Sequence, residues 1–206
     1  MPYQHKVALF PILLGTVLAL GGLHMIAPDH WVPLTVVSNR LNYRKGKTLS
    51  YAALLGMLHA VTSEAIAGVA LLIGVLLVRE YITYMEIASI LLLIAVGIYF
   101  IVNGYVEEEP ESGYAVASIK SILAISAFPD FALIPIMLAG SSLSAINIIW
   151  ILVAFILIST VSLAIMVYAS TRGLSKALEK LPPRYIDYIM AGILFLTAGI
   201  IAFTSL

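Results

Sequence analysis

Three polar side chains that can bind a metal ion lie close together in an otherwise apolar stretch of the chain. The stretch reads GLHMIAPDHW and holds His24, Asp29 and His30. Imidazole and carboxylate form a suitable ligand set for a divalent first-row metal such as nickel, cobalt or zinc. On one unbroken helix, however, Asp29 and His30 would point about 140° and about 120° away from His24. The three side chains can therefore share an ion only if the chain bends between them.

Pro28 predicts such a bend, because proline lacks an N–H donor and clashes with the preceding helical turn. The apolar stretch from residue 7 to residue 38 would be about 48 Å long as one straight helix, which exceeds a hydrocarbon core of about 30 Å. We therefore predict a helix broken at Pro28, with a second half from about 29 to 39. The alternative is that Asp29 only caps this half-helix and that the histidines bond to backbone groups.

Three further ionisable side chains lie in the middle of apolar stretches, namely His59, Glu64 and Asp130. Such groups are costly inside a membrane and usually face a bundle interior or an aqueous path. We predict that His59 is a fourth metal ligand, and that Glu64 and Asp130 are each an additional ligand or a proton carrier. The alternatives are a core hydrogen bond for His59, a helix partner for Glu64 and helix capping for Asp130.

The composition defines the elements that must position these groups. Of 206 residues, 62% are hydrophobic and 11% are charged, whereas about a quarter are charged in soluble domains. Runs of about 20 apolar residues are long enough to cross a bilayer as helices. We predict an all-α membrane protein, a single transmembrane domain over 1–206, with six transmembrane helices at about 7–27, 49–78, 84–105, 116–140, 144–170 and 187–205.

The distribution of basic residues predicts the orientation of these helices. If the first, third and fifth connections are cytoplasmic, nine of the eleven Lys and Arg residues lie inside and only Lys6 and Arg79 lie outside. This asymmetry follows the positive-inside rule and places both termini outside. The acidic third connection, EEEPE from Glu107, is then a cytoplasmic turn. We expect a multi-pass protein of the cell membrane of a prokaryote.

A weak internal repeat divides the chain into two halves. The segment IAPDHWVPL from Ile26 resembles AFPDFALIP from Ala127, so that Pro28-Asp29 corresponds to Pro129-Asp130. A three-helix unit that occurs twice must enter the membrane from opposite faces, which is the inverted-repeat plan of many secondary transporters. We predict a 3+3 inverted repeat of 1–105 and 116–206, with helices 1 and 4 broken at Pro-Asp, and transport as the functional class.

The motif His-x4-Asp-His on an early membrane helix resembles the signature of the nickel/cobalt transporter family, within the broader superfamily of lysine-exporter-like six-helix proteins. The resemblance extends to about residue 70 and includes LGMLHA around His59, which looks like a shifted form of the family's histidine on the next helix. It implies a nickel and cobalt permease in which His24, Asp29 and His30 select and carry the metal.

Other function classes fit the sequence less well. No His-Glu-x-x-His or Gly-x-Ser-x-Gly motif and no cysteine is present, so a membrane metalloenzyme is the less favoured alternative, and we expect no enzyme activity. An exporter of an amino acid or another small solute would use the same architecture but leaves the histidines unexplained. We expect no prosthetic group. The expected cargo is a divalent metal, with zinc, iron and manganese as alternatives to nickel and cobalt. The expected partner is the lipid bilayer and not nucleic acid, and the architecture is compatible with an oligomeric protein.

Overall fold

The structure is a computed structural model that describes residues 2–77, 82–106, 129–173 and 183–205, with side chains for 9–27, 30–76, 87–106, 129–173 and 184–203. All regular structure in these ranges is helical. The helices are α1 (Pro2–Ile26), α2 (Pro28–Arg40), α3 (Lys45–Leu77), α4 (Ile82–Val106), α5 (Leu133–Ala139), α6 (Ala145–Thr171) and α7 (Pro183–Ser205), with a 3₁₀ turn over Gly140–Ser142.

Five segments of the described chain are long and apolar enough to cross a bilayer. They are Leu9–Arg40, Lys45–Leu76, Ile87–Val106, Ala145–Thr171 and Arg184–Phe203. The chain is thus a helical, multi-pass membrane protein by helix length and hydropathy. The predicted fourth span, 116–140, and the acidic turn at Glu107 lie mostly or wholly outside the described residues. The described end of that span carries α5 and the 3₁₀ turn.

The first apolar segment is broken where the sequence predicts it. Helix α1 ends at Ile26, Ala27 has an extended backbone with ψ 134°, and α2 begins at Pro28. Pro28 has no N–H to donate to the carbonyl of His24, and this carbonyl accepts a bond from the Ala27 N–H at 3.2 Å instead. The change of partner ends one helix and allows the next to start in a new direction.

Trp31 closes the backbone gap that the break creates. Its indole Nε1 donates to the carbonyl of Ile26 at 2.9 Å, and its side chain is buried. Without this donor the carbonyl would lack a helical partner, because the His30 N–H bonds to the Ala27 carbonyl instead. Irregular backbone inside a membrane is tolerated where it is satisfied by such protein groups.

The connection between α2 and α3 is short and does not contain all of the basic residues that cluster there in the sequence. Only 41–44 separate α2 from α3, so Lys45 and Lys47 lie in the first turn of α3 rather than in a loop. Cations are unfavourable at a helix N-terminus because of the helix dipole. The Lys47 ammonium lies 3.8 Å from the centre of the Tyr43 ring, which offsets part of this cost.

The helices of the first half pack mainly on helices of the second half. The most extensive contacts join α4 to α7, α3 to α6 and α1 to α6. Helix α1 also packs against α7, and the short helix α5 packs against α3 and α4. Gly56 on α3 permits a close approach to the backbone of α6, since a Cβ there would lie 2.7 Å from the Cα of Thr160. The two halves therefore interlock within the described chain rather than forming separate bundles.

Candidate metal centre

His24 lies on the buried face of α1. Leu13, Val17 and Leu20 precede it at helical spacing on the same stripe and are all at most 1% exposed. In a continuous helix, the residues that follow His24 at the same spacing would lie on this buried face as well. Because α1 ends two residues after His24, the imidazole lies instead at the open end of the helix, beside the break.

His30 lies in the first turn of α2, directly after the break. Its Nε2 atom is 3.0 Å from Nε2 of His24, so the two imidazoles share a hydrogen bond. Their ring centres are 4.6 Å apart. This contact is incompatible with one straight helix, on which the two side chains would point about 120° apart. The bend at Pro28 therefore brings the outer two residues of the His-x4-Asp-His motif together.

His59 brings a third imidazole from α3. It is 2% exposed and shares its helix face with Leu55 and Ser63, which are also buried. Its ring centre lies 5.2 Å from that of His24 and 5.4 Å from that of His30. The three rings thus form a nearly equilateral triangle whose members come from three different helices.

Asp130 completes the group from the second half of the chain. It is 6% exposed and lies in the non-helical segment before α5. One ligand atom each from His24, His59 and Asp130 lie within 4.8 Å of one another. Asp130, which the sequence predicts as an additional ligand or a proton carrier, therefore lies beside the histidines of the first half. The carboxylate also makes a local turn, since its Oδ1 accepts the Ala132 N–H at 2.9 Å.

Ser63 forms hydrogen bonds to residues of both halves at this site. Its hydroxyl donates to the carbonyl of His59 at 2.7 Å and accepts the backbone N–H of Asp130 at 2.8 Å. The serine is 1% exposed, so neither bond competes with water. The position of Asp130 relative to His59 is therefore fixed through one hydroxyl group.

The structure gives different results for the remaining two predicted residues, Asp29 and Glu64. The side chain of Asp29 lies outside the described residues, so its part in the site stays a prediction. Glu64 is not among the ligand atoms that the structure brings together. Its Oε1 atom is buried and has no hydrogen-bond partner among the described residues. Glu64 lies about 140° round α3 from His59, which is the reason that the two side chains diverge.

Ser63 is the residue whose importance the sequence signals least. Helical spacing places it on the face of His59, but a serine in a membrane helix usually bonds to its own backbone. Nothing in the sequence indicates that the same hydroxyl also reaches residue 130. Only the packing of the second half against α3 creates this contact.

The ligand set suits a divalent transition metal. The converging group offers imidazole nitrogens from His24 and His59 and carboxylate oxygens from Asp130, and the chain has no cysteine to add a thiolate. A dication would compensate the negative charge that Asp130 carries inside the membrane when ionised. Such a charge is costly there unless it is paired. His24, His59 and Asp130, with His30 bonded to His24, are therefore a group that could hold a metal ion.

Comparisons with known proteins give no match to this chain: no family model, no curated protein and no solved structure is significantly similar to it.

Proposed function

We propose that the protein is a membrane permease for a divalent transition-metal cation. The observation that carries the proposal is the convergence of His24, His59 and Asp130, from both halves of the chain, with His30 hydrogen-bonded to His24 beside them. Imidazoles are rare in apolar membrane segments and are costly there without a function. Nickel and cobalt are the first candidates for the cargo, in line with the family resemblance of the motif.

Transport by alternating access is supported by the packing of the two halves. The two most extensive helix contacts, α4 with α7 and α3 with α6, each join helices at equivalent places in the two halves, which is consistent with an inverted repeat. In such proteins the cargo lies where the repeats meet, at broken helices. The backbone is non-helical at Ala27, directly before Pro28-Asp29, and at Pro129 and Asp130 themselves.

Two buried apolar clusters pack the helices that carry the site. One contains Met25, Trp31 and Leu55, and the other contains Leu20, Ala27 and Leu133. Alternating access would rearrange this packing as the two halves rock.

Two other functions are less well supported. An exporter of an amino acid or another small solute would use the same architecture, but it has no need for three imidazoles in contact. An enzyme would need an open substrate position beside the metal, and we propose a transport role rather than catalysis. Metal-dependent thermal stabilisation of the purified protein would favour the permease over the solute exporter, since a ligand stabilises the state that binds it.

The proposal is tested by metal flux into proteoliposomes that contain a metal-sensitive dye. We expect saturable flux of one or more divalent first-row metals, and the loss of that flux in His24→Ala, His30→Ala and His59→Ala. Calorimetric affinity for the metal should fall by more than about 100-fold in each variant, because even outer-shell changes cost about 10–100-fold.

Thr197→Val is the matched control, because it removes a buried hydroxyl that bonds to Thr16 and touches none of the histidines. Flux and affinity should be unchanged in this variant. Unaltered metal affinity in all three histidine variants, each shown to be folded, would exclude the site.

A further inference from the structure

We infer that His30 is a positioning residue of the proposed metal site and not one of its ligands. In this role His30 accepts a hydrogen bond from Nε2 of His24, which leaves Nδ1 of His24 as the atom that binds the metal. The inference rests on the proposed function, since it divides the histidines of the same site into ligands and a supporting residue. Two observations carry it, namely the contact between the two rings and the position of His30 outside the group of converging ligand atoms.

His30 lies next to the converging ligand atoms but does not belong to them. Among the described residues, the group whose ligand atoms all lie within 4.8 Å of one another consists of His24, His59 and Asp130. The His30 ring is nevertheless close, since its centre lies 4.6 Å from that of His24 and 5.4 Å from that of His59. His30 therefore contacts a member of the group and does not complete it.

The hydrogen bond between the two imidazoles restricts which nitrogen of His24 can bind a metal. The Nε2 atoms of His24 and His30 are 3.0 Å apart, so one of them carries the proton and the other accepts it. A neutral imidazole has one N–H and one nitrogen lone pair. If Nε2 of His24 were the acceptor, its Nδ1 would carry the proton, and neither nitrogen could bind a metal. The bond is thus compatible with His24 as a ligand only if Nε2 of His24 donates and its Nδ1 faces the ion.

This arrangement is the one that metal-binding histidines use in general. A histidine ligand almost always donates its second ring N–H to an acceptor, which fixes the tautomer and the orientation of the ring. The acceptor is usually a carboxylate, a backbone carbonyl or water, and for His24 it is the Nε2 lone pair of His30. Loss of such an acceptor typically lowers metal affinity by about 10–100-fold.

The backbone at the break holds this acceptor in place. The N–H of His30 bonds to the carbonyl of Ala27 at 3.3 Å, and the indole of Trp31 bonds to the carbonyl of Ile26 at 2.9 Å. These two bonds join the first turn of α2 to the end of α1, which carries His24. The contact between the two rings is therefore set by bonds within the chain.

Two substitutions of similar size test whether His30 acts as an acceptor. The amide oxygen in His30→Gln can accept the N–H of His24, whereas His30→Leu fills the space without an acceptor. The purified chain in detergent, with each variant shown to be folded by thermal unfolding, is titrated calorimetrically with Ni²⁺ and Co²⁺. We expect His30→Leu to lower the affinity by at least about tenfold and His30→Gln to restore most of this loss. Equal affinities of the two variants, whether weakened or normal, would overturn the acceptor role.

X-ray absorption spectra of the Ni²⁺-loaded protein test whether His30 is a ligand, because they count the imidazoles bound to the metal. At saturating Ni²⁺ we expect two bound imidazoles, those of His24 and His59, both in the unaltered protein and in His30→Gln. Three bound imidazoles in the unaltered protein and two in His30→Gln would make His30 a ligand and overturn the inference. Thr197→Val, which removes a hydroxyl that bonds to Thr16, is the control and should leave the spectrum unchanged.

Two results separate this inference from the proposed function. Three bound imidazoles together with saturable Ni²⁺ flux in proteoliposomes would overturn the role of His30 and leave the metal permease intact. Two bound imidazoles and recovery of affinity in His30→Gln, together with absent flux of divalent first-row metals, would uphold the role of His30 and remove the permease.

Discussion

At the scale of single residues, the candidate site consists of side chains that each satisfy a structural demand as well. Asp130 caps a local turn through Ala132, and Ser63 bonds to its own helix at His59. A conservative substitution can therefore keep the structural contact and remove the chemistry. Asp130→Asn uses that separation, Ser63→Ala tests the positioning contact itself, and a third prediction at this scale concerns pH.

Asp130→Asn should preserve the fold and lower metal binding. The asparagine carbonyl can still accept the Ala132 N–H, and asparagine caps about as well as aspartate, so thermal unfolding should change by less than about 1 kcal/mol. The loss of negative charge beside a dication should lower metal affinity and flux by at least about tenfold. Asp187→Asn is the control, since Asp187 accepts a bond from Asn103 between α4 and α7. Normal flux in Asp130→Asn would show that Asp130 has only the structural role of accepting the Ala132 N–H.

Ser63→Ala should weaken metal binding without removing any ligand. The hydroxyl holds the backbone N–H of Asp130 at 2.8 Å, and its loss leaves a buried donor unsatisfied at a cost of about 1–3 kcal/mol. We expect metal affinity to fall by about 10-fold or more in calorimetry, and Ser63→Thr, which keeps the hydroxyl, to restore most of it. Ser50→Ala on the same helix removes an exposed hydroxyl that bonds to Gly46. Equal affinities in the Ser50 and Ser63 variants would show that Ser63 has no positioning role.

Metal affinity should depend on pH with the sign set by imidazole ligands. Imidazole binds a metal only when neutral, so metal and protons compete for the same nitrogens. Free imidazole side chains titrate near pH 6.5, and carboxylates near pH 4. Affinity should therefore be constant above about pH 7.5 and fall as the pH is lowered toward about 5. Calorimetric affinity that stays constant from about pH 5 to about pH 8 would assign the metal to carboxylates alone.

At the scale of elements, the break between α1 and α2 determines whether the histidines meet. Pro28 causes the break because it cannot supply the N–H that would continue α1. Trp31 then stabilises it by bonding to the carbonyl of Ile26. Proline alone does not have this effect, since Pro11 lies inside α1 without ending the helix.

Pro28→Ala should reduce metal binding by restoring a continuous helix. Alanine supplies the missing donor and removes the ring clash, which favours helix by about 3 kcal/mol in an exposed helix interior. His24 and His30 would then diverge, and calorimetric affinity should fall by more than about tenfold while helical circular dichroism is kept or rises. Pro11→Ala is the matched control and should leave affinity unchanged. An unchanged affinity in Pro28→Ala would mean that tertiary packing, and not proline, maintains the break.

At the scale of the whole molecule, the site depends on the close packing of the two halves. Histidines from α1, α2 and α3 meet a carboxylate that precedes α5. The contact of α5 with α3 and the bond of Asp130 to Ser63 hold this carboxylate beside the histidines, and the extensive contact of α3 with α6 joins the two halves next to it. Metal binding and the packing of the halves should therefore be coupled.

Gly56→Ala should disturb that packing. The added Cβ would lie 2.7 Å from the Cα of Thr160 and 3.1 Å from the carbonyl oxygen of Ser159, and neither backbone atom can rotate away. We expect a loss of about 1–3 kcal/mol in thermal unfolding together with weaker metal binding. Gly68→Ala on the same helix meets no atom within 4 Å and serves as the control. Equal stability of the two variants would contradict close contact between α3 and α6.

The sequence by itself determined the class of the protein and the local shape of its first half. Apolar runs predict the membrane helices, because a bilayer requires long stretches with internally satisfied backbone groups. Their ends lie within a few residues of 49–78, 84–105 and 144–170, as predicted. Pro28 predicts the break, since the missing N–H is a covalent property of that residue.

The tertiary structure alone decided which polar groups share the site. His59 and Ser63 face the histidines of α1 and α2, whereas Glu64, one position further along, does not join them. Helical periodicity gives the relative directions of these side chains but not the direction of the interior. The hydrogen bond from Asp130 to Ser63 spans 67 positions. Such a contact depends on how two helices approach each other, which is a property of packing and not of local sequence.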